Sequence, residues 1–179
     1  RLEFGNAEAV FELIKMIARR EGIGDLLAEG VREAAKRIGG GSERFAMHVK
    51  GLEISGYEHR AAQAMALSYA TCDVGGHHNR SWAITYDIRA GRSSYGRDKA
   101  EYVIRLQHIR PMFDALGVCR LPWVELGLDL EYYARLYRAA TGFDATLGEL
   151  LTASERIYNL TRAISVRRGL RAEDDWLPD

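Results

Sequence analysis

Residues 103–119 read Val103-Ile104-Arg105-Leu106-Gln107-His108-Ile109-Arg110-Pro111-Met112-Phe113-Asp114-Ala115-Leu116-Gly117-Val118-Cys119, and their period decides the fold class. Val103, Leu106, Ile109, Phe113 and Leu116 fall at steps of three and four, which lays them along one side of an α-helix. The phase holds across Pro111, which offers no backbone donor and crowds the preceding turn, so a kink is expected there. Gly117 ends the helix, because glycine accepts the left-handed conformation that closes one.

The same period recurs on both sides. Towards the N-terminus, Val10, Phe11, Ile14 and Ile17 form an apolar stripe behind an Asn6 cap, and the pattern stops at Gly22. Asp25 is expected to cap a second helix with Leu27, Val31, Ala34 and Ile38 on its apolar face, closed by the glycines at 39–41. Met47, Val49, Leu52 and Ile54 have no helical period, so 42–57 reads as an irregular or briefly extended connection. A third helix is predicted from about residue 60 to 71. Gly91, Ser93, Ser94 and Gly96 make 81–96 another flexible connection.

Beyond Gly117 the chain leaves the helix through Cys119 and Pro122. Leu130, Tyr133, Ala134 and Tyr137 then define a helix ending near Gly142. Thr146 and Glu149 are spaced as a capping box for the last one, whose apolar face is Leu147, Leu150, Leu151, Ile157, Leu160 and Ile164, with Gly169 as its stop. The expected fold is all-α, an irregular multi-helix bundle with long loops, dividing into sub-lobes near 1–90 and 91–179. Its loops carry the unusual chemistry.

The 179 residues hold 25 Lys and Arg against 25 Asp and Glu, so no global field draws phosphates, which argues against a nucleic-acid binder. A hydrophobic share of 47% excludes disorder, and no apolar run approaches the roughly 18 residues that span a bilayer. Two cysteines cannot build a disulfide framework, which points to a reducing cytoplasm. The first residue is Arg1 and a helical pattern begins at once, so a piece of a longer chain is expected.

Two places carry candidate chemistry. Asp114 stands one turn before a helix end, where the helix dipole disfavours a carboxylate, so something else must favour it. With Gly117 and Cys119 it forms Asp-x-x-Gly-x-Cys, for which this composition gives about 0.01 chance matches. The plainer alternative is a solvated Asp114 and a small buried Cys119. The second place is Cys72-Asp73-Val74-Gly75-Gly76-His77-His78-Asn79-Arg80. Its glycines allow close backbone approach to a ligand, its imidazoles exchange protons near neutrality, and Arg80 presents a planar fork to anions. Surface histidines are the plainer reading. Zinc-ligand spacings, a nucleophile elbow, a phosphate loop and a dinucleotide fingerprint are all absent from the sequence. Arg167, Arg168 and Arg171 beside Glu173, Asp174 and Asp175 read as a solvated end.

Several stretches together carry a resemblance. They are Gly5-Asn6 through Ile17-Ala18-Arg19-Arg20-Glu21-Gly22-Ile23-Gly24-Asp25-Leu26-Leu27-Ala28-Glu29-Gly30-Val31, His48-Val49-Lys50-Gly51-Leu52-Glu53, Leu67-Ser68-Tyr69-Ala70-Thr71, the Asp114 to Cys119 motif, Glu155-Arg156-Ile157-Tyr158-Asn159-Leu160-Thr161-Arg162-Ala163 and Asp174-Asp175-Trp176-Leu177-Pro178. In this order, and over nearly the whole chain, they resemble the helical C-terminal region of the aldehyde:ferredoxin oxidoreductases. The resemblance implies a tungsten or molybdenum bis-pterin beside a [4Fe-4S] cluster, oxidation of an aldehyde to a carboxylic acid, and ferredoxin as electron acceptor. By position, Cys119 resembles the fourth cluster ligand, Asp114 the acceptor for a pterin's ring nitrogens, and Val118 a backbone contact to that pterin. His78 resembles the histidine near the metal, and Arg80 stands where the family places a basic residue near the pterin. His77 replaces the family's more usual acidic or small residue, so which imidazole faces the metal stays open. The three other cluster cysteines and the N-terminal pterin-binding domain, a partner within the same protein, lie outside this sequence, so the chain alone is expected to be inactive. The resemblance also admits a relative that reduces aromatic acyl-coenzyme A and a homo-oligomer. A helical interaction module without redox chemistry is the alternative outside the family.

Overall fold

The computed structural model describes residues 3–178. Among them Asn6 caps α1 (Ala7–Arg19) by accepting from the Ala9 amide at 3.1 Å. α2 (Ile23–Leu27) folds back on α1 so closely that a Cβ on Gly24 would collide with the Met16 main chain. The expected second helix is two: the chain breaks at Gly30, whose φ is +81°, and restarts as α3 (Gly30–Ile38). Asp25 does not cap it. It lies in the first turn of α2, where its carboxylate pairs with Arg20 at 3.0 Å, and Gly22 takes the cap position. The Val10, Phe11 and Ile14 stripe is exposed rather than buried.

After a 3₁₀ turn, β1 (His48–Val49) and β2 (Leu52–Glu53) pair antiparallel, His48 opposite Glu53. α4 (Gln63–Thr71) follows. The 81–96 connection is itself partly helical: α5 (Ile84–Ala90) occupies it, seven residues being too few to display a period. α6 (Arg97–Leu116) runs through Pro111 as one helix. Pro122 does not mark an exit, because it sits in the first turn of a further short helix, α7 (Leu121–Leu126), where its missing N–H costs nothing. α8 (Glu131–Thr141) and α9 (Leu147–Arg167) complete the nine helices among the described residues, and the Thr146–Glu149 capping box is present.

Three apolar clusters hold these elements. Val49, Met65 and Tyr69 join the hairpin to α4; Ala64, Val103 and Leu106 join α4 to α6; Ile109, Met112, Phe113 and Tyr133 join α6 to α8 and to the first half of α9. Trp123 of α7 touches the second and third. The far half of α9 departs from expectation, since Ile157, Leu160 and Ile164 are exposed. Two polar knots complete the frame. Asp87 of α5, fully buried, accepts from the Ala64 and Met65 amides at 3.0 and 2.9 Å and pairs with Lys99 of α6 at 2.7 Å. At the C-terminal end Asp175 is pinned between Arg162 and Lys50, at 2.6 and 2.7 Å, rather than freely solvated.

Candidate functional site

The 73–80 turn owes its position to the hairpin beneath it. A Cβ on Gly75 would stand 2.6 Å from the Val49 carbonyl oxygen, and one on Gly76 2.7 Å from that of Leu52. The Gly76 carbonyl also accepts from the Ser55 amide at 3.2 Å. These glycines therefore serve close approach to the hairpin, where the sequence had indicated a ligand. Seating the turn in this way brings its last four residues against the end of α6.

There Gly117 adopts the left-handed conformation and its N–H bonds to the Asp114 and Phe113 carbonyls, while the Val118 amide reaches Phe113 at 3.0 Å. Arg80 joins the two pieces. Its Nε donates to Asp73 at 3.1 Å and its Nη1 to Asp114. The unfavourable carboxylate at the helix end thus has a cation from 34 residues away. Asp114 nonetheless keeps two thirds of its side-chain surface open, at 66%. Cys119, two residues past Gly117, is exposed, so the plainer reading of it as a small buried hydrophobe fails. The buried thiol is Cys72, which burial pushes up in pKa, with Asp73 adding to the rise. Tyr133 donates its hydroxyl to the Cys119 carbonyl at 3.4 Å, which steadies the main chain under the sulfur.

His78 and His77 stack with ring centroids 5.0 Å apart. His77 Nδ1 accepts from the Asn79 amide at 2.9 Å, and His78 Nδ1 lies 3.0 Å from Ser55 Oγ. Burial first, then His77, Arg120 and Arg110, hold the His78 imidazole below its ordinary pKa. The five expected residues therefore gather on two adjoining segments, with Arg80 and Asp114 in direct contact.

Two participants escaped the sequence reading, Arg110 and Arg120, and two more, Asp73 and Asn79, stood in the quoted turn without a role. Arg110 Nη1 donates to the Asn79 carbonyl at 3.0 Å, and Arg120 Nη2 donates to the Asn79 side chain. Burial and the neighbouring Arg120 push Arg110 down to about 10. The signal for it was present. Four residues after Leu106 and three before Phe113, Arg110 is a charge on the apolar side of its own helix.

The sulfur and carboxylates fit only part of a metal centre. Among the described residues no three His, Cys, Asp or Glu side chains converge to hold a metal ion, and an iron–sulfur cluster asks for about four thiolates. Cys119 fits as one ligand of a set completed from elsewhere. Asp114 fits an exposed acceptor for ring N–H donors.

Fold and site together define a mostly helical protein that presents a turn bearing two histidines and an arginine, a helix-end carboxylate and a free thiol on adjoining segments. The whole chain, residues 1–179, matches the family described as aldehyde ferredoxin oxidoreductase, domains 2 and 3, and it belongs to that family. It is 35% identical over 181 residues, 98% of its length, to the tungsten-containing aldehyde ferredoxin oxidoreductase of Pyrococcus furiosus, and 33% identical over the same share to that of Thermococcus kodakarensis. A WOR-like subunit of an aliphatic sulfonate oxidoreductase from Pyrococcus furiosus is 34% identical over 89 residues, 46% of the chain and 14% of that protein. The chain spans 29% of the length of the first two relatives. Among the described residues no helix is long and apolar enough to cross a membrane.

Proposed function

We propose that this chain is the helical, cofactor-facing part of a cytoplasmic tungsten- or molybdenum-pterin oxidoreductase that converts aldehydes to carboxylic acids and passes the electrons through a [4Fe-4S] cluster to ferredoxin. The observation that carries this reading is the Arg80 bridge, which draws Asp73, Asp114 and the His78 turn into one constellation beside an exposed Cys119. When bound, the metal–pterin group and its cluster supply the two-electron oxidation and the route for the electrons.

The chain's own residues hold and orient. The Asp114 carboxylate would accept from pterin N–H donors with charge-assisted strength, and the Val118 main chain would contact the same group. Arg80 fixes Asp114 and offers a cation to the pterin. Cys119 would contribute its thiolate to the cluster, whose other ligands would come from the N-terminal pterin-binding domain of the same protein. His78, its Nδ1 held by Ser55, donates to the substrate carbonyl or takes up a proton through its other nitrogen. With one thiol available, the isolated chain is inactive.

The test is anaerobic reconstitution of the full-length protein, followed by aldehyde-dependent reduction of a viologen dye and iron analysis. Wild type reduces the dye, and Cys119→Ser loses iron and the visible cluster absorption. A metal-loaded protein inert with aldehydes but active with aromatic acyl-coenzyme A would shift the assignment to thioester reduction. Unchanged iron in Cys119→Ser would leave a helical interaction module.

A further inference from the structure

One positive charge at the candidate site has no use in the roles proposed above. Arg110 is 3% exposed, yet its partners among the described residues are a peptide carbonyl, that of Asn79 at 3.0 Å, and the face of Trp123, 6.0 Å from the guanidinium carbon. Its buried Nε meets no acceptor among the described residues. Ions leave water at high cost and are ordinarily buried with a counter-ion. Arg80 obeys that rule, since Asp73 and Asp114 both pair with it. Arg110 does not, and the residue it grips is the one that follows His78.

We propose that Arg110 is a positioning residue for His78, clamping the 77–80 turn to α6 through Asn79 and opposing, by its uncompensated charge, a second positive charge on the imidazole. The inference rests on the reading of His78 as the proton-handling group. Asn79 is held twice, its carbonyl by Arg110 and its side chain by Arg120, so the turn cannot swing away from α6 without breaking both contacts. The groups that face His78 come from every neighbouring segment: His77 on its own turn, Ser55 and Tyr57 after the hairpin, Arg110 on α6 and Arg120 beyond it. No carboxylate is among them, because the two nearby are engaged by Arg80. Ser55 holds Nδ1, and Nε2 has no partner among the described residues. The arrangement leaves a neutral ring with one free nitrogen at physiological pH. The depressed pKa of His78 agrees with it.

The intact protein carrying ¹³C-labelled histidine, with the His78 signal assigned by its loss in His78→Gln, gives the titration by NMR. Wild-type His78 should titrate below the ordinary value of about 6.5. Arg110→Gln removes the charge and should raise the midpoint by roughly half a unit, whereas Arg110→Lys, which keeps it, should restore a value near wild type. A wild-type midpoint at or above the ordinary value overturns the inference even if the glutamine variant fails to fold. So does an identical midpoint in folded Arg110→Gln. In the cofactor-loaded full-length protein, the acidic limb of the rate profile should follow the same order. If the NMR midpoints move and that limb does not, the Arg110 inference stands and the role given to His78 fails.

Discussion

Asp87 is a single carboxylate on which three helices converge. It replaces a side-chain cap for α4, accepting from the Ala64 and Met65 amides, and neutralises the Lys99 ammonium, all at a fully buried position. Such a pair adds little over a well-packed apolar substitute, but removing one partner strands a charge in the interior. Asp87→Ala should therefore cost about 3–5 kcal/mol, read from urea unfolding midpoints, and Asp87→Ala with Lys99→Met should recover part of that loss. A single variant within about 0.5 kcal/mol of wild type would contradict this. Asp114 shows what a residue-level reading can and cannot reach. Its misfit with the helix dipole was legible, and the structure supplies a counter-charge for it. The partner that relieves the misfit, Arg80, was not, because no local pattern announces a contact across 34 residues. Arg110, by contrast, was readable as a charge in an apolar phase.

At the scale of elements, the long helices were legible and the short ones were not. α6 and α9 span five turns or more and display their period, whereas α5 and α7, with seven and six residues, offer too few positions for one. Period identifies an apolar side but says nothing of what covers it, which is why the stripes of α1 and the far half of α9 could be placed in a core they do not join. The hairpin is the element that seats the 73–80 turn. Gly75, with φ +110° and the Val49 carbonyl in the way of any Cβ, has no acceptable replacement. Gly75→Ala should lower stability by about 1–3 kcal/mol and shift the His78 ring signals. Gly148→Ala, in the first turn of α9 where a methyl meets nothing closer than 3.9 Å, should hold or gain up to about 1 kcal/mol. Equal losses for the two would remove the hairpin contact as the cause.

For the whole molecule, burial sets the pH range of stability. His48 and His78 are both held below their ordinary pKa, by burial foremost, so the unfolded chain takes up protons that the folded one refuses. Their contribution is complete above about pH 6.5 and is lost as the pH falls through the folded values. Tyr69 is pushed up to about 12 and Tyr158 upward as well, each by burial first, so the unfolded chain releases those protons earlier on the alkaline side. Stability is then lost as the pH rises above about 10. Thermal midpoints should be highest between these limits and fall at pH 5.5 and at 10.5; a flat midpoint from 7.5 down to 5.5 would sink the histidine account. The helical class of the whole was legible because glycines stop the helices where the periods end. The meeting of the turn with the helix end was not, since it depends on packing through the hairpin. The contrast between the two sulfurs has a practical side. With Cys72 sealed and Cys119 bare, a maleimide fluorophore added to this folded chain by itself has one reactive address, and Cys119→Ser should abolish the labelling while Cys72→Ser leaves it in place.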